Sequence, residues 1–215
     1  LGLIGGGIPF LLFFQGLATA GAPSAALIHK TLFVWVALLA LPLLGESLGG
    51  WQVAGLSVLA VGQFLLQSPK AWGWGSGETL ILIATLMWAV ETIVAKKVLA
   101  GVSARVAAFG RMGVGVIVMW GFLAFSGRAS AALTLSGAQW FWVIVTAAFL
   151  LAYVWTWYAA LKAAAASLVT SVLTLGAIIT LLIAAALEGA GLTEAQWMAG
   201  AVMIFGAAML VLRPF

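Results

Sequence analysis

The sequence predicts an all-α integral membrane protein of about eight transmembrane helices. Three observations carry this. Hydrophobic residues fill 65% of the 215 positions and charged residues only 7%, against roughly a quarter charged in a soluble chain. The apolar residues run in stretches of about 20, the length that crosses a hydrocarbon core about 30 Å thick as a helix. The stretches are continuous rather than alternating, so each closes its backbone hydrogen bonds within itself and none reads as a barrel strand.

The first stretch, 1–20, contains Gly5, Gly6, Gly7, Ile8 and Pro9 in a row. Such a run either packs tightly on a neighbouring helix or breaks the helix and bares backbone to a ligand. Gly21 and Pro23 separate it from the second stretch, 23–43, and Gly45, Glu46, Ser47, Gly49 and Gly50 lead into the third, 50–67. Ser68, Pro69 and Lys70, followed by Gly73, Gly75 and Gly77, form the longest break and read as a linker, 68–76, between two halves. Stretches 78–99 and 103–126 then make a hairpin around Gly101. After Ser126, Gly127 and Arg128 come 139–160, 164–187 and 196–212, the boundary near 162 marked by Lys162 within an Ala run.

Composition removes several function classes. The net charge of +4 is spread along the chain with no basic stripe, so no nucleic-acid partner is expected. The absence of Cys excludes a disulfide scaffold, a thiolate nucleophile and a Cys-ligated metal, and a single His without any Asp argues against a zinc site. No Gly-rich phosphate loop with Lys and Ser or Thr is present. The reading is therefore no enzyme and no cofactor, with membrane lipid and a small-molecule solute as partners and a homodimer left open. Leu1 begins inside an apolar stretch without a charged flank or a small-residue cleavage site, so it is not read as a signal peptide.

Loop Lys and Arg set orientation. With Leu1 on the cytoplasmic side, Lys96, Lys97, Arg105, Lys162 and Arg213 are cytoplasmic and only Lys70 and Arg128 lie opposite. This places the C-terminus in the cytoplasm, in a bacterial or archaeal plasma membrane. Trp51, Trp72, Trp74, Trp140, Trp142 and Trp197 fall at span ends, where an amphipathic ring suits the headgroup layer. Trp35, Trp88 and Trp155 sit deeper.

Ionisable groups inside spans cost roughly 2.5–3.5 kcal/mol even on mild insertion scales, so they mark function by default. Glu91 and Arg111 each stand ten residues from Gly101, level with one another in an antiparallel hairpin. They form either a gated pair on a solute pathway or a structural clamp, and Glu91 is the sole obvious candidate for proton coupling. Lys30 either binds an anionic solute group or snorkels to the interface. His29 titrates near physiological pH when unperturbed, or is simply hydrogen-bonded. Ser167, Thr170, Ser171 and Thr174 stand at i, i+3, i+4 and i+7, a stripe that serves close helix packing or solute contact. With Thr31, Trp88 and Tyr153, these residues (Lys30, His29, Glu91, Arg111, Thr170 and Thr174) are the pathway candidates. Gln15 and Gln63 are further polar handles without a spacing argument.

The chain also repeats itself. Ser24 and Thr31 recur as Ser167 and Thr174 with six residues between each pair, Glu46 and Glu188 close the two helices, and Trp51 with Gly55 and Gly62 recurs as Trp197 with Gly200 and Gly206. Blocks 1–67 and 139–213 thus look like copies. The chain here resembles the drug/metabolite transporter superfamily, specifically EamA-like domains. The resemblance rests on Gly16, Leu17 and Ala18; Leu44, Gly45 and Glu46 followed by Trp51 to Gly55; Trp88 and Ala89 with Lys96 and Lys97; Tyr158, Ala160, Leu161 and Lys162; and the final Gly200 and Gly206. It implies an inverted-repeat bundle of two five-helix units and gradient-driven secondary transport of small metabolites by alternating access. On that pattern, 1–67 is the last three helices of the first unit, 77–213 is the whole second unit, and two helices are expected before Leu1. The rival reading is a non-transporting helical subunit or lipid-handling module, favoured by the small-residue faces.

Overall fold

The computed structural model describes residues 1–67, 73–189 and 191–212. Lys70 and Trp72 of the expected linker, Ala190 of the last connection and Arg213 at the C-terminal end lie outside the described residues. Among the described residues the chain is helical with no strand. A π-helical segment, Gly2–Gly7, runs into α1 (Ile8–Leu17), followed by α2 (Ala22–Lys30), α3 (Leu32–Leu44), α4 (Gly50–Gln67), α5 (Ser76–Val98) and α6 (Ala104–Phe125). Then come a short α7 (Ala129–Leu133), α8 (Gly137–Ala163), α9 (Ala166–Leu173), α10 (Gly176–Glu188) and α11 (Glu194–Leu212). All eight expected stretches are helical. Taking α2–α3 and α9–α10 each as one span, six are long and apolar enough to cross a bilayer, and Gly2–Leu17 is a shorter apolar helix. The 18-residue α4 carries Gln52, Gln63 and Gln67.

Three local features depart from uninterrupted helices. Pro9 sits in the first turn of α1, where its missing N–H leaves no bond unmade, and the three glycines before it relax into π geometry. The second and seventh stretches are each kinked in the middle. At Thr31 the hydroxyl donates to the Ile28 carbonyl (2.6 Å), and the Thr31 and Val34 amides bond three residues back instead of four. At Thr174 the hydroxyl donates to the Ser171 carbonyl (2.6 Å), with the same tightened turn through Leu175 and Ala177. Threonine back-bonding and a 3₁₀ step together bend a helix without proline. Past the kinks, α3 and α10 both end on a left-handed glycine, Gly45 at φ 69° and Gly189 at φ 65°.

Lipid supplies no hydrophobic drive between helices, so close approach and polar ties must hold the bundle. Helices α4 and α11 meet through Gly55, Gly62 and Gly206, where a Cβ on Gly206 would stand 2.7 Å from the Leu59 amide nitrogen. The Trp51 indole N–H adds a bond to the Met209 carbonyl (2.8 Å), so this belt residue also ties two helices. Of the six bilayer-length helices α5 is the most buried, and its Ala89 and Ile93 pack with Val36, Ala108, Tyr158 and Leu161. The α5–α6 hairpin covers the π segment, α1 and α3. The faces of α8 and α10 stay apolar and open, with Phe149 74% exposed.

One end of the bundle is closed by charge. The Glu46 carboxylate, just past α3, accepts from the Ala166 amide (2.6 Å), the Ser167 amide (3.1 Å) and the Ser167 hydroxyl (2.5 Å) at the start of α9. An acid at a helix N-terminus satisfies orphan donors and complements the helix dipole. Beside it, Lys96 Nζ donates to the carbonyls of Leu161 (2.6 Å) and Ala164 (2.8 Å) at the end of α8, and Lys162 donates to Val102 (3.1 Å).

Candidate functional site

Midway along the bundle, beside the α2–α3 kink, lies a cavity of about 340 Å³. Its apolar wall comes from α1, where Phe10, Phe13 and Phe14 share one face at i, i+3 and i+4, and from Leu32, Leu150 and Leu173. Trp88 lines it too, with ring centres 5.2 Å from Phe10, 5.6 Å from Phe13 and 4.9 Å from His29, in edge-on and tilted arrangements. Tyr153 stacks on Trp157 one turn along α8, at 6.3 Å, and both line the cavity. Lys30 ends α2 and faces the same space.

Opposite these, three helices and the π segment build a polar knot. Glu91 on α5 is 1% exposed and accepts a short hydrogen bond from the Tyr158 hydroxyl on α8. Arg111 on α6 donates from Nη2 to the Gly5 carbonyl (3.0 Å), which also accepts from the Trp88 indole N–H (3.0 Å). The Arg111 guanidinium lies 5.8 Å from the Tyr158 ring centre. A Cβ on Gly5 would stand 2.5 Å from Glu91 Cγ and 3.0 Å from Arg111 Nε, so a bare backbone is what lets both side chains reach this point. A hydrogen bond to a charged group is worth about 1.5–3 kcal/mol, and removing one partner of a buried charged pair costs about 3–5 kcal/mol. Each partner of the knot is therefore costly to remove. Among the described residues, His29 Nδ1 and Arg111 Nε are buried without a hydrogen-bond partner.

Six sequence candidates thus converge on one cavity: His29, Lys30, Trp88, Glu91, Arg111 and Tyr153. Glu91 and Arg111 come together through Tyr158 and Gly5 rather than standing alone as a pair. Thr31 lies next door, lining a neighbouring groove and accepting from the Trp35 indole N–H (3.0 Å). Thr170 and Thr174 spend their hydroxyls on their own helix, at Ala166 (2.8 Å) and Ser171, inside packed contacts. Tyr158 and the three phenylalanines are residues the pathway candidates omitted. The phenylalanine stripe was visible in the spacing, but the Tyr158 bond spans 67 positions and leaves no local mark.

With this geometry in view, the match to known proteins is direct: the model of the EamA-like transporter family covers residues 1–67 and 75–212. The chain belongs to the EamA-like transporter family. Sixteen solved chains resemble it in fold. One, named only "Crystal structure of protein", superposes with a TM-score of 0.79 at 19% identity, covering 98% of this chain and 75% of that one. At that identity the likeness speaks for the fold alone. No curated protein matches the sequence. As an EamA-like chain with six bilayer-length apolar helices among the described residues, it is an integral membrane protein in contact with lipid.

Proposed function

We propose that this chain is the core of a gradient-driven secondary transporter that carries a small metabolite by alternating access. The observation that carries this is the mid-bundle cavity, which joins an unneutralised Lys30, the Glu91–Tyr158–Arg111 knot and aromatic walls at a kinked helix. Transporter sites lie near the bilayer midplane beside discontinuous helices, and pockets of about 300–1,000 Å³ suit small molecules. The solute this cavity fits has a flat or apolar body for Trp88 and the phenylalanines and an acidic group for Lys30. Glu91, inside the same cavity, is the group whose protonation would couple flux to a proton gradient.

Residues 1–67 form the end of one repeat and 77–213 the other, a division supported by the paired kinks at Thr31 and Thr174 and the paired left-handed glycines. The end bearing Glu46, Lys96 and Lys162 faces the cytoplasm, on the loop-charge argument, with the C-terminus on the same side. The test is flux of radiolabelled small organic acids into proteoliposomes of the full-length protein, with and without an imposed proton gradient. Saturable flux lost in Lys30→Gln and uncoupled from the gradient in Glu91→Gln is expected. Flux indistinguishable from empty vesicles across the solute panel would leave the membrane-module reading in its place.

A further inference from the structure

A separate groove of about 370 Å³ runs along the cleft between α8 and α9, from the Ala164 turn that joins them up to Tyr153 and Leu173. Thr156, Ala160 and Val172 along it are exposed, so it opens on the outside of the bundle. Lys162 ends α8 two to three turns beyond Tyr153, which puts the groove at the depth of the acyl chains in the nearer leaflet. Its lining suits them. The Thr156 hydroxyl is spent on its own helix, donating to the carbonyls of Ala152 (2.8 Å) and Tyr153 (3.0 Å), and the other lining residues apart from Tyr153 and Trp157 are aliphatic. Three residues line this groove and the central cavity alike: Tyr153, Trp157 and Leu173. Where they stand, the partition between acyl chains and site is made of side chains.

The partition is lightly held at one residue. Tyr158, facing the bundle, is fixed by its bond to Glu91, whereas Tyr153 is 41% exposed and, among the described residues, its hydroxyl makes no hydrogen bond. Its ring rests on Trp157 by stacking alone, and exposed side chains change rotamer on the picosecond to nanosecond scale. We infer that Tyr153, swinging off Trp157, is a side door through which an amphipathic solute dissolved in the bilayer passes along the α8–α9 groove into the central cavity. An apolar body gains free energy with every CH₂ it buries in lipid, so such a solute is concentrated on the side where this door lies. The groove offers that body continuous apolar contact, and the first charges it meets are those of the central cavity. The inference rests on the transport reading only for the identity of the solute.

The experiment uses the full-length protein, free of other cysteines, in phosphatidylcholine vesicles with Thr92→Cys as the reporter. Thr92 is 2% exposed and lines the central cavity but not the groove. Two thiol reagents are compared, each present on both sides of the vesicle: lipid-soluble N-cyclohexylmaleimide and water-soluble sulfonatoethyl methanethiosulfonate. Thr156→Trp fills the groove from its outer edge. It should slow the maleimide about fivefold, a barrier raised by roughly 1 kcal/mol, and leave the water-soluble reagent's rate unchanged. Tyr153→Ala removes the door and should raise the ratio of the maleimide rate to the water-soluble rate severalfold. A maleimide rate untouched by Thr156→Trp, or slowed in step with the water-soluble reagent, would overturn the side entrance. Thr156 faces outward, so tryptophan there should fold; should it not, Ala160→Phe fills the same groove one turn away and is read in the same way. Neither rate involves solute flux. The expected pattern in a protein that carries no solute would keep the door and remove the transport reading, and flux without the pattern would do the reverse.

Discussion

At the scale of single residues, Glu91 depends on a phenol from another helix and a backbone carbonyl from a third element for its surroundings. Tyr158→Phe removes the hydroxyl that donates to Glu91 and nothing else. We expect it to cost about 1.5–3 kcal/mol, read as a lowered melting temperature of the detergent-solubilised protein, together with reduced solute flux. A melting temperature equal to the parent's would mean that the carboxylate finds another donor. Gly5 gives a sharper test of shape. Gly5→Ala drives a methyl group onto Glu91 and Arg111 and should sharply reduce folded yield, whereas Gly110→Ala meets nothing within 4 Å and should leave yield unchanged. Similar yields of the two variants by fluorescence-detected gel filtration would show that the π segment can shift aside.

At the scale of elements, the kinks at Thr31 and Thr174 lie beside the cavity, next to its lining residues Lys30, Leu32 and Leu173. In a regular helix through 22–44 every backbone amide would bond four residues back. The Thr31 hydroxyl instead bonds to Ile28, and the chain tightens and turns. Thr31→Val keeps the shape of the side chain and deletes that bond together with the one Thr31 accepts from Trp35. The expected result is a stability change within about 0.5–1.5 kcal/mol but a several-fold drop in solute flux, as the helix straightens and displaces Lys30. Flux that falls only in proportion to folded protein would confine Thr31 to a packing role. The repeat of Ser and Thr at matching intervals was legible in the sequence; that the Thr of each pair bends the helix was not, since the same residue also serves as a packing surface.

For the whole molecule, the Glu46 contacts to α9 join positions 120 apart and close one end of the bundle. Glu46→Ala leaves two amides of α9 without their cap and should loosen that end. A cysteine at Leu173, which lines the central cavity, reports on this, since the chain has no native Cys. A membrane-impermeant thiol reagent applied from the side of Lys96 and Lys162 should label it severalfold faster in the Glu46→Ala background than in the Glu46 parent. Equal rates would mean that Lys96 and the packing of α3 against α9 close the end unaided.

The sequence by itself determined the solvent, the order of the helical stretches, and the identity of the polar groups that needed explaining. Continuous apolar runs and misplaced charges carry an energetic meaning that depends on no tertiary contact. It also marked the three glycines before Pro9, though not which of two fates they would meet. Tertiary structure alone decided that Gly5 offers its carbonyl to Trp88 and Arg111, that Tyr158 holds Glu91, and that Glu46 caps a helix in the other half. Each of these bonds joins residues 67 to 120 positions apart. Sequence periodicity reports only which face of a helix is apolar, whereas the partner of a polar side chain is set by how whole helices cross.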